Sequence, residues 1–215
     1  RGPKTLLTHW IDCFFIILFC SFIFLPIFMI ISKGLANTAI PTDNLILSAM
    51  NSILVALLAT FINLIFSLAL CLLIVDEKRK FLKIFIEVGS FSIICVSPLV
   101  FGTALFLILF EHIDLSANAL LLTGLTNGVL MIPISLAILL PGFKKIKARY
   151  GKLMNILGVP RTSELAKFYV PLLKKNIKFS CALVFALSIG DLGVIVLFSG
   201  DDIGTLPIHL YRLIG

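Results

Sequence analysis

Residues 10–32, WIDCFFIILFCSFIFLPIFMIIS, decide the class of fold. Asp12 is the one charge in this run. As a helix rising about 1.5 Å per residue, such a run crosses the roughly 30 Å hydrocarbon core of a bilayer. Its apolar residues are continuous rather than alternating, which favours a helix over a barrel strand. Four more runs follow, at about 46–75, 84–110, 117–141 and 176–199. Pro26, Pro98 and Pro133 fall inside runs and are expected to kink their helices. The whole chain agrees with this reading. Of its 215 residues, 60% are hydrophobic and only 13% are charged, against about 25% charged in soluble domains. The expected fold is an all-α integral membrane protein, a polytopic bundle with five transmembrane helices. The chain opens on Arg1 and stops at Gly215 as an apolar stretch gathers (Leu206, Ile208, Leu210, Ile214). It is therefore expected to be a fragment of a longer chain, with residues 1–215 forming one transmembrane domain.

The formal net charge is +7. The basic residues lie in the short connections between runs, as membrane topology produces, and nucleic acid is not an expected partner. Sixteen of the 18 Lys and Arg fall before the first run, in the second connection (Lys78 to Lys83) and in the fourth (Lys144 to Lys178). The positive-inside rule then puts the amino end of this segment in the cytoplasm. Trp10 and Tyr150 fit as interfacial anchors. The five cysteines all sit in apolar runs without CxxC spacing, and read as buried free thiols.

The fourth connection, 142–175, is long, basic and patterned. Tyr150, Leu153, Met154 and Leu157 recur at helical spacing. Gly158 suits a helix end and Pro160 the first turn of another helix. Leu165, Phe168 and Tyr169 continue an apolar stripe that Pro171 closes. Two short helices with a turn at Gly158-Val159-Pro160 are expected. They would lie either in a groove of a cytosolic partner or on anionic headgroups.

Asp191 is a charge inside the fifth run, a position that costs about 2.5–3.5 kcal/mol on insertion scales. Such a residue lines a polar pathway, caps a broken half-helix or pairs with a neighbouring helix. Gly190 and Gly193 beside it permit local unwinding. Gly124 and Gly128 form a GxxxG packing motif in the fourth run. Asn63, Ser67 and Asn127 are polar residues inside runs, read as interhelical hydrogen-bonders or pathway lining. His9, His112 and His209 stand alone. No P-loop, HExxH or GxSxG occurs, so no catalytic residue, metal site or cofactor is expected, and the chain is not expected to be an enzyme.

The spacing of Gly158, an apolar stripe and Pro171 is similar to the EAA loop of permease subunits in bacterial ABC importers. The Glu-Ala-Ala positions themselves are Lys152, Leu153 and Met154 here. The resemblance implies that residues 142–175 form a cytoplasmic coupling loop. Leu157, Gly158, Val159, Pro160, Arg161 and Leu165 would then face an ATPase. The stretch FALSIGDLGVIVLFSGDDIGTLPIHLYRLIG, residues 185–215, resembles the end of the permease of thiamine or thiamine pyrophosphate importers. Phe-Ala-Leu-Ser, Gly-Asp-Leu-Gly, Thr-Leu-Pro and Leu-Tyr-Arg-Leu carry that likeness. Ferric-iron permeases share the loop pattern and match Thr205-Leu206-Pro207 and Tyr211-Arg212 less well.

The resemblance implies a type I importer permease, most of its second half, with the sixth helix truncated. It would sit in the bacterial inner membrane. Its implied partners are cytoplasmic ABC ATPase subunits, a periplasmic substrate-binding protein, and the N-terminal half of the same permease or a second permease copy. Asp191, Ser188 and Gly190 are the implied substrate-pathway residues. Ferric iron or another small solute is the alternative cargo. An ion-coupled secondary transporter is the alternative mechanism, and it would call for more intramembrane charge than Asp191 supplies.

Overall fold

The structure, a computed structural model, describes residues 6–36, 42–111, 118–156, 161–198 and 204–214. Every regular element among them is helical. The chain divides into two compact units, residues 1–42 and 43–215.

The first unit holds one helix, α1 (Leu6–Ala36), with Pro26 in its interior and Lys33 in its last turn. A cation there favours the negative end of the helix dipole. The stretch Trp10–Lys33 is long and apolar enough to cross a membrane.

The second unit begins with α2 (Thr42–Asp76), whose stretch Leu45–Asp76 is also long and apolar enough to span. The third run is not one kinked helix, as the sequence led us to expect. It is α3 (Lys80–Ser92), a 3₁₀ turn at Ile93–Cys95, and α4 (Pro98–Leu109), with a bend of 96° between the halves. Pro98 is the cause. It disfavours the helical region for Ser97, which is extended at φ −66° and ψ 132°, and its own missing N–H costs nothing in the first turn of α4.

The fourth run is likewise α5 (Ala119–Leu130) and α6 (Ile132–Ile156), bent by 44°. Pro133 sits at the start of α6 rather than inside a helix. α6 then continues through Pro141 well past the expected end of the span. The first helix of the 142–175 segment is therefore the end of α6, not a separate element.

After α7 (Arg161–Glu164), a π-helical turn at Leu165–Tyr169 leads into α8 (Val170–Ile189). Pro171 opens α8 instead of closing the preceding stripe. α8 stops at Gly190, in the middle of the fifth run. Lys174, Lys175 and Lys178 occupy its first half, which leaves about 16 Å of apolar helix from 179 to 189. α9 (Ile195–Phe198) and α10 (Leu206–Ile214) complete the described chain. By length and composition, two described helices can span a bilayer, or up to four if each bent pair counts as one span. The fifth expected run is occupied by the apolar end of α8 and by α9, with a non-helical link between them.

The main core of the second unit joins the end of α2, the length of α6 and the start of α8. Cys71, Ile74, Leu136, Leu139, Phe143, Met154 and Tyr169 are buried there. A smaller cluster joins α5 to α9 through Ala119, Leu122, Val194 and Phe198. The GxxxG pair serves helix packing, as expected. A Cβ on Gly128 would lie 3.0 Å from the Ala59 carbonyl and from Ile62, and one on Gly124 would lie 3.0 Å from Leu58. α2 thus approaches α5 at backbone distance. The cysteines are free thiols, but only Cys71 is buried.

Candidate functional site

Asp191 lies in the non-helical link between α8 and α9, not at mid-helix. The helix ends because Gly190 takes up the Ser188 carbonyl in a tight turn, and the Asp191 N–H donates to the same carbonyl at 3.3 Å. Asp191 Oδ1 accepts from the Gly193 N–H at 3.2 Å, an Asx turn that holds the carboxylate in place. Its Oδ2 is buried and has no hydrogen-bond partner among the described residues. A Cβ added to Gly190 would meet nothing within 4 Å. A half-buried carboxylate with one oxygen unsatisfied therefore stands at a helix break, next to a glycine that faces open space. Such a group attracts a cation or a hydrogen-bond donor.

Ser188 has a different setting. It is buried, and its hydroxyl accepts from Asn127 Nδ2 at 3.2 Å, tying α8 to α5. A second chain of buried polar groups runs alongside. Asn63 Nδ2 donates to the Gly128 carbonyl at 2.9 Å. Ser135 Oγ donates to Asn63 Oδ1, and Ser180 Oγ donates to Ser135 Oγ at 2.9 Å. α2, α5, α6 and α8 are thus joined through side chains in a region otherwise apolar. Asn63 and Asn127 behave as the interhelical hydrogen-bonders expected of them. Ser67 does not, since it bonds the Leu64 carbonyl of its own helix. Ser135 and Ser180 were not singled out from the sequence, although each is a lone hydroxyl in an apolar run.

The amino end of α10 is held by α2. The Leu206 N–H, one of the donors a helix leaves unpaired in its first turn, donates to Ser52 Oγ at 2.7 Å. Asn51 Nδ2 donates to the Gly204 carbonyl at 3.1 Å. His209 Nε2 and Thr205 Oγ1 are buried there without hydrogen-bond partners among the described residues.

In the 142–175 segment, Leu157, Gly158, Val159 and Pro160 lie outside the described residues. Arg161 opens α7, and its side chain is not described. Leu165 is half-buried and packs against the main core, as does Phe168. The exposed apolar side chains at the end of α6 are Leu153 and Ile156, the latter 83% exposed.

Charge organises the inner side of the segment. Lys147 Nζ lies 2.7 Å from Asp76 Oδ1 and 3.6 Å from Glu164 Oε2, which brings the ends of α2 and α7 to one ammonium group on α6. Tyr169 stacks on Phe143 with ring centroids 4.5 Å apart and planes 10° apart. Burial, with the Asp76 and Glu164 carboxylates adding to it, pushes the Tyr169 phenol up to about 12 from its ordinary 10. None of Asp76, Lys147 and Glu164 stood out in the sequence, because each is one charge among several in a basic connection.

Among the described residues, no three His, Cys, Asp or Glu side chains come together as a metal site. No family model matches the chain. The chain is 35% identical over 130 residues to the thiamine transport system permease protein ThiP of Escherichia coli, covering 60% of this chain and 24% of that protein. It is 28% identical over 205 residues to ThiP of Brucella abortus, covering 87% of this chain and 38% of that protein. It is 29% identical over 222 residues to the transport system permease protein NifC of Clostridium pasteurianum, covering 91% of this chain and 73% of that protein. The chain thus spans less than two fifths of the length of these ThiP relatives. Sequence kinship and an all-α, multi-pass architecture agree: the chain is related to the transport permeases of ABC importers.

Proposed function

We propose that the chain is a permease subunit that carries thiamine or thiamine pyrophosphate across the bacterial inner membrane, while a partner subunit hydrolyses ATP. The observation that carries this reading is likeness to thiamine permeases along 87% of the chain. In this reading the amino end of the segment faces the cytoplasm. A second permease half, from the same polypeptide or another copy, completes the path. A periplasmic binding protein delivers the solute and selects it.

Asp191 supplies the chemistry on the path. Thiamine carries a positive thiazolium ring, and a fixed carboxylate with an unpaired oxygen offers it a favourable site in a poorly solvated region. The neighbouring Gly190 has open space at its Cβ position, and Ser188 anchors the end of α8 to α5. The chain itself makes and breaks no covalent bond. Alternating access follows from ATPase contacts along Leu157, Gly158, Val159, Pro160 and Arg161, with Leu153 and Ile156 extending the contact face and Leu165, packed on the core, backing it.

The experiment is purification of the tagged permease followed by uptake assays of Asp191→Asn. The reading predicts co-purification of a P-loop ATPase. It also predicts that Asp191→Asn still assembles with that ATPase and loses most thiamine uptake. Undiminished uptake by Asp191→Asn would remove that residue from the path. Likeness to NifC, whose description carries no solute, favours a second reading in which the same permease fold moves another small solute such as ferric iron.

A further inference from the structure

The basic stretch of α6 is electrically divided. Lys144 pairs with Glu87 at 2.7 Å, and Lys147 with Asp76 and Glu164. Lys145 and Arg149 have no carboxylate partner among the described residues. They are one helical turn apart on one side of α6. That side opens on a cavity of about 360 Å³ between α6 and α8, walled by Gly142, Lys145, Ile146, Arg149, Leu172 and Asn176, among others.

The two helices run antiparallel there. Ser180 meets Ser135, the Asn176 amide donates to the Ile138 carbonyl at 3.3 Å, and a Cβ on Gly142 would lie 2.5 Å from Leu173 Cδ2. In this register α6 changes from apolar to basic after Phe143, level with Leu172 of α8, while α8 changes before Phe179, level with Leu136 of α6, so the two changes bound a zone about 10 Å deep. The cytoplasmic edge of the hydrocarbon falls within that zone in the topology given by the basic loops. The cavity therefore has an apolar wall (Ile146, Leu172) and two cations without a carboxylate partner among the described residues, just to the cytoplasmic side of that zone. Arg149 lies 5.4 Å from the ring centroid of Tyr150, which also lines the cavity.

We propose that this cavity is a binding site for an anionic phospholipid, with its phosphate between Lys145 and Arg149 and its glycerol and upper acyl carbons against Leu172 and Ile146. A phosphodiester matches an arginine fork and a nearby ammonium, and basic pockets between membrane helices on the cytoplasmic side suit such headgroups. The site does not depend on which solute is carried.

The test uses the purified protein in nanodiscs of equal parts phosphatidylethanolamine and phosphatidylglycerol, with retained lipid counted by native mass spectrometry. The wild type retains phosphatidylglycerol preferentially. Lys145→Gln/Arg149→Gln lowers that retention roughly tenfold or more, while Lys152→Gln/Lys167→Gln, exposed cations outside the cavity, leaves it unchanged. A photoactivatable phosphatidylglycerol on the wild-type protein labels peptides around 142–150 and 172–176, a readout that does not rely on folding of the variant. Retention equal to wild type in the double variant, or labelling elsewhere, overturns the proposal. Displacement of the lipid by excess inorganic phosphate overturns the lipid assignment and leaves a free-phosphate site.

Discussion

Lys147 Nζ lies 2.7 Å from Asp76 Oδ1, joining the last residue of α2 to the extension of α6 beyond the apolar span. The same ammonium stands 3.6 Å from Glu164, so α7 is held by the same joint. Both carboxylates are nearly buried, and Lys147 is their common counter-ion. Lys147→Met removes the cation shared by two nearly buried carboxylates and is expected to cost about 3 kcal/mol of stability. Lys147→Arg keeps most of it. Thermal unfolding in detergent measures both; equal melting of Lys147→Met and wild type would contradict the role assigned to the joint.

Two glycines in close helix contacts are predicted to differ. Gly128→Ala drives a Cβ against the Ala59 backbone and the Ile62 branch point, which can yield only if α2 and α5 separate. Gly142→Ala meets the tip of Leu173, which can rotate away. The first is expected to lose about 1–3 kcal/mol and the second less. Melting temperatures of the two single variants give the order, and the reverse order would contradict the packing described.

The buried amide of Asn63 has a matching asymmetry. Asn63→Leu leaves the Gly128 carbonyl and the Ser135 hydroxyl without that partner and is expected to cost about 1–3 kcal/mol. Ser135→Ala placed on top of it removes one stranded group but takes the acceptor from Ser180, so the two losses are expected to be less than additive. A double-mutant cycle of melting temperatures reads this coupling, and strict additivity would contradict it.

Tyr169 gives a pH prediction. Its phenol is raised in the folded state to about 12, above the ordinary 10. The neutral form is the one the fold favours. Its contribution to stability is fully present below pH 10 and is lost as pH rises through about 12. The tyrosinate absorbance difference between wild type and Tyr169→Phe is expected near pH 12 in detergent. A difference centred at pH 10 would contradict the buried setting.

How much of this was legible in the sequence follows from the range of each interaction. Continuous apolar runs and the division of basic residues among connections are local patterns, and they gave the membrane class and the helical content. Gly124 and Gly128 could be read because small residues four apart face one way on a helix. The break at Asp191 was legible only as an option, since Gly190 and Gly193 permit unwinding without requiring it. Pro98 was read as a kink, while Ser97 at its extended angles turns it into a stop. Lys147, Asp76 and Glu164 were invisible. Seventy-one residues separate Asp76 from Lys147, and only the fold selects this lysine from its neighbours. The contacts of Leu165 with the main core were missed for a related reason: helical spacing shows that a stripe exists, not which side of it faces inward.

The most direct test of the account is labelled-thiamine uptake in cells that lack the full-length gene, before and after its restoration. The account predicts that uptake is lost on deletion and returns with the wild-type gene but not with Asp191→Asn. Uptake unchanged by deletion, in cells with no second thiamine importer, would contradict the thiamine assignment and make ferric iron the next solute to measure.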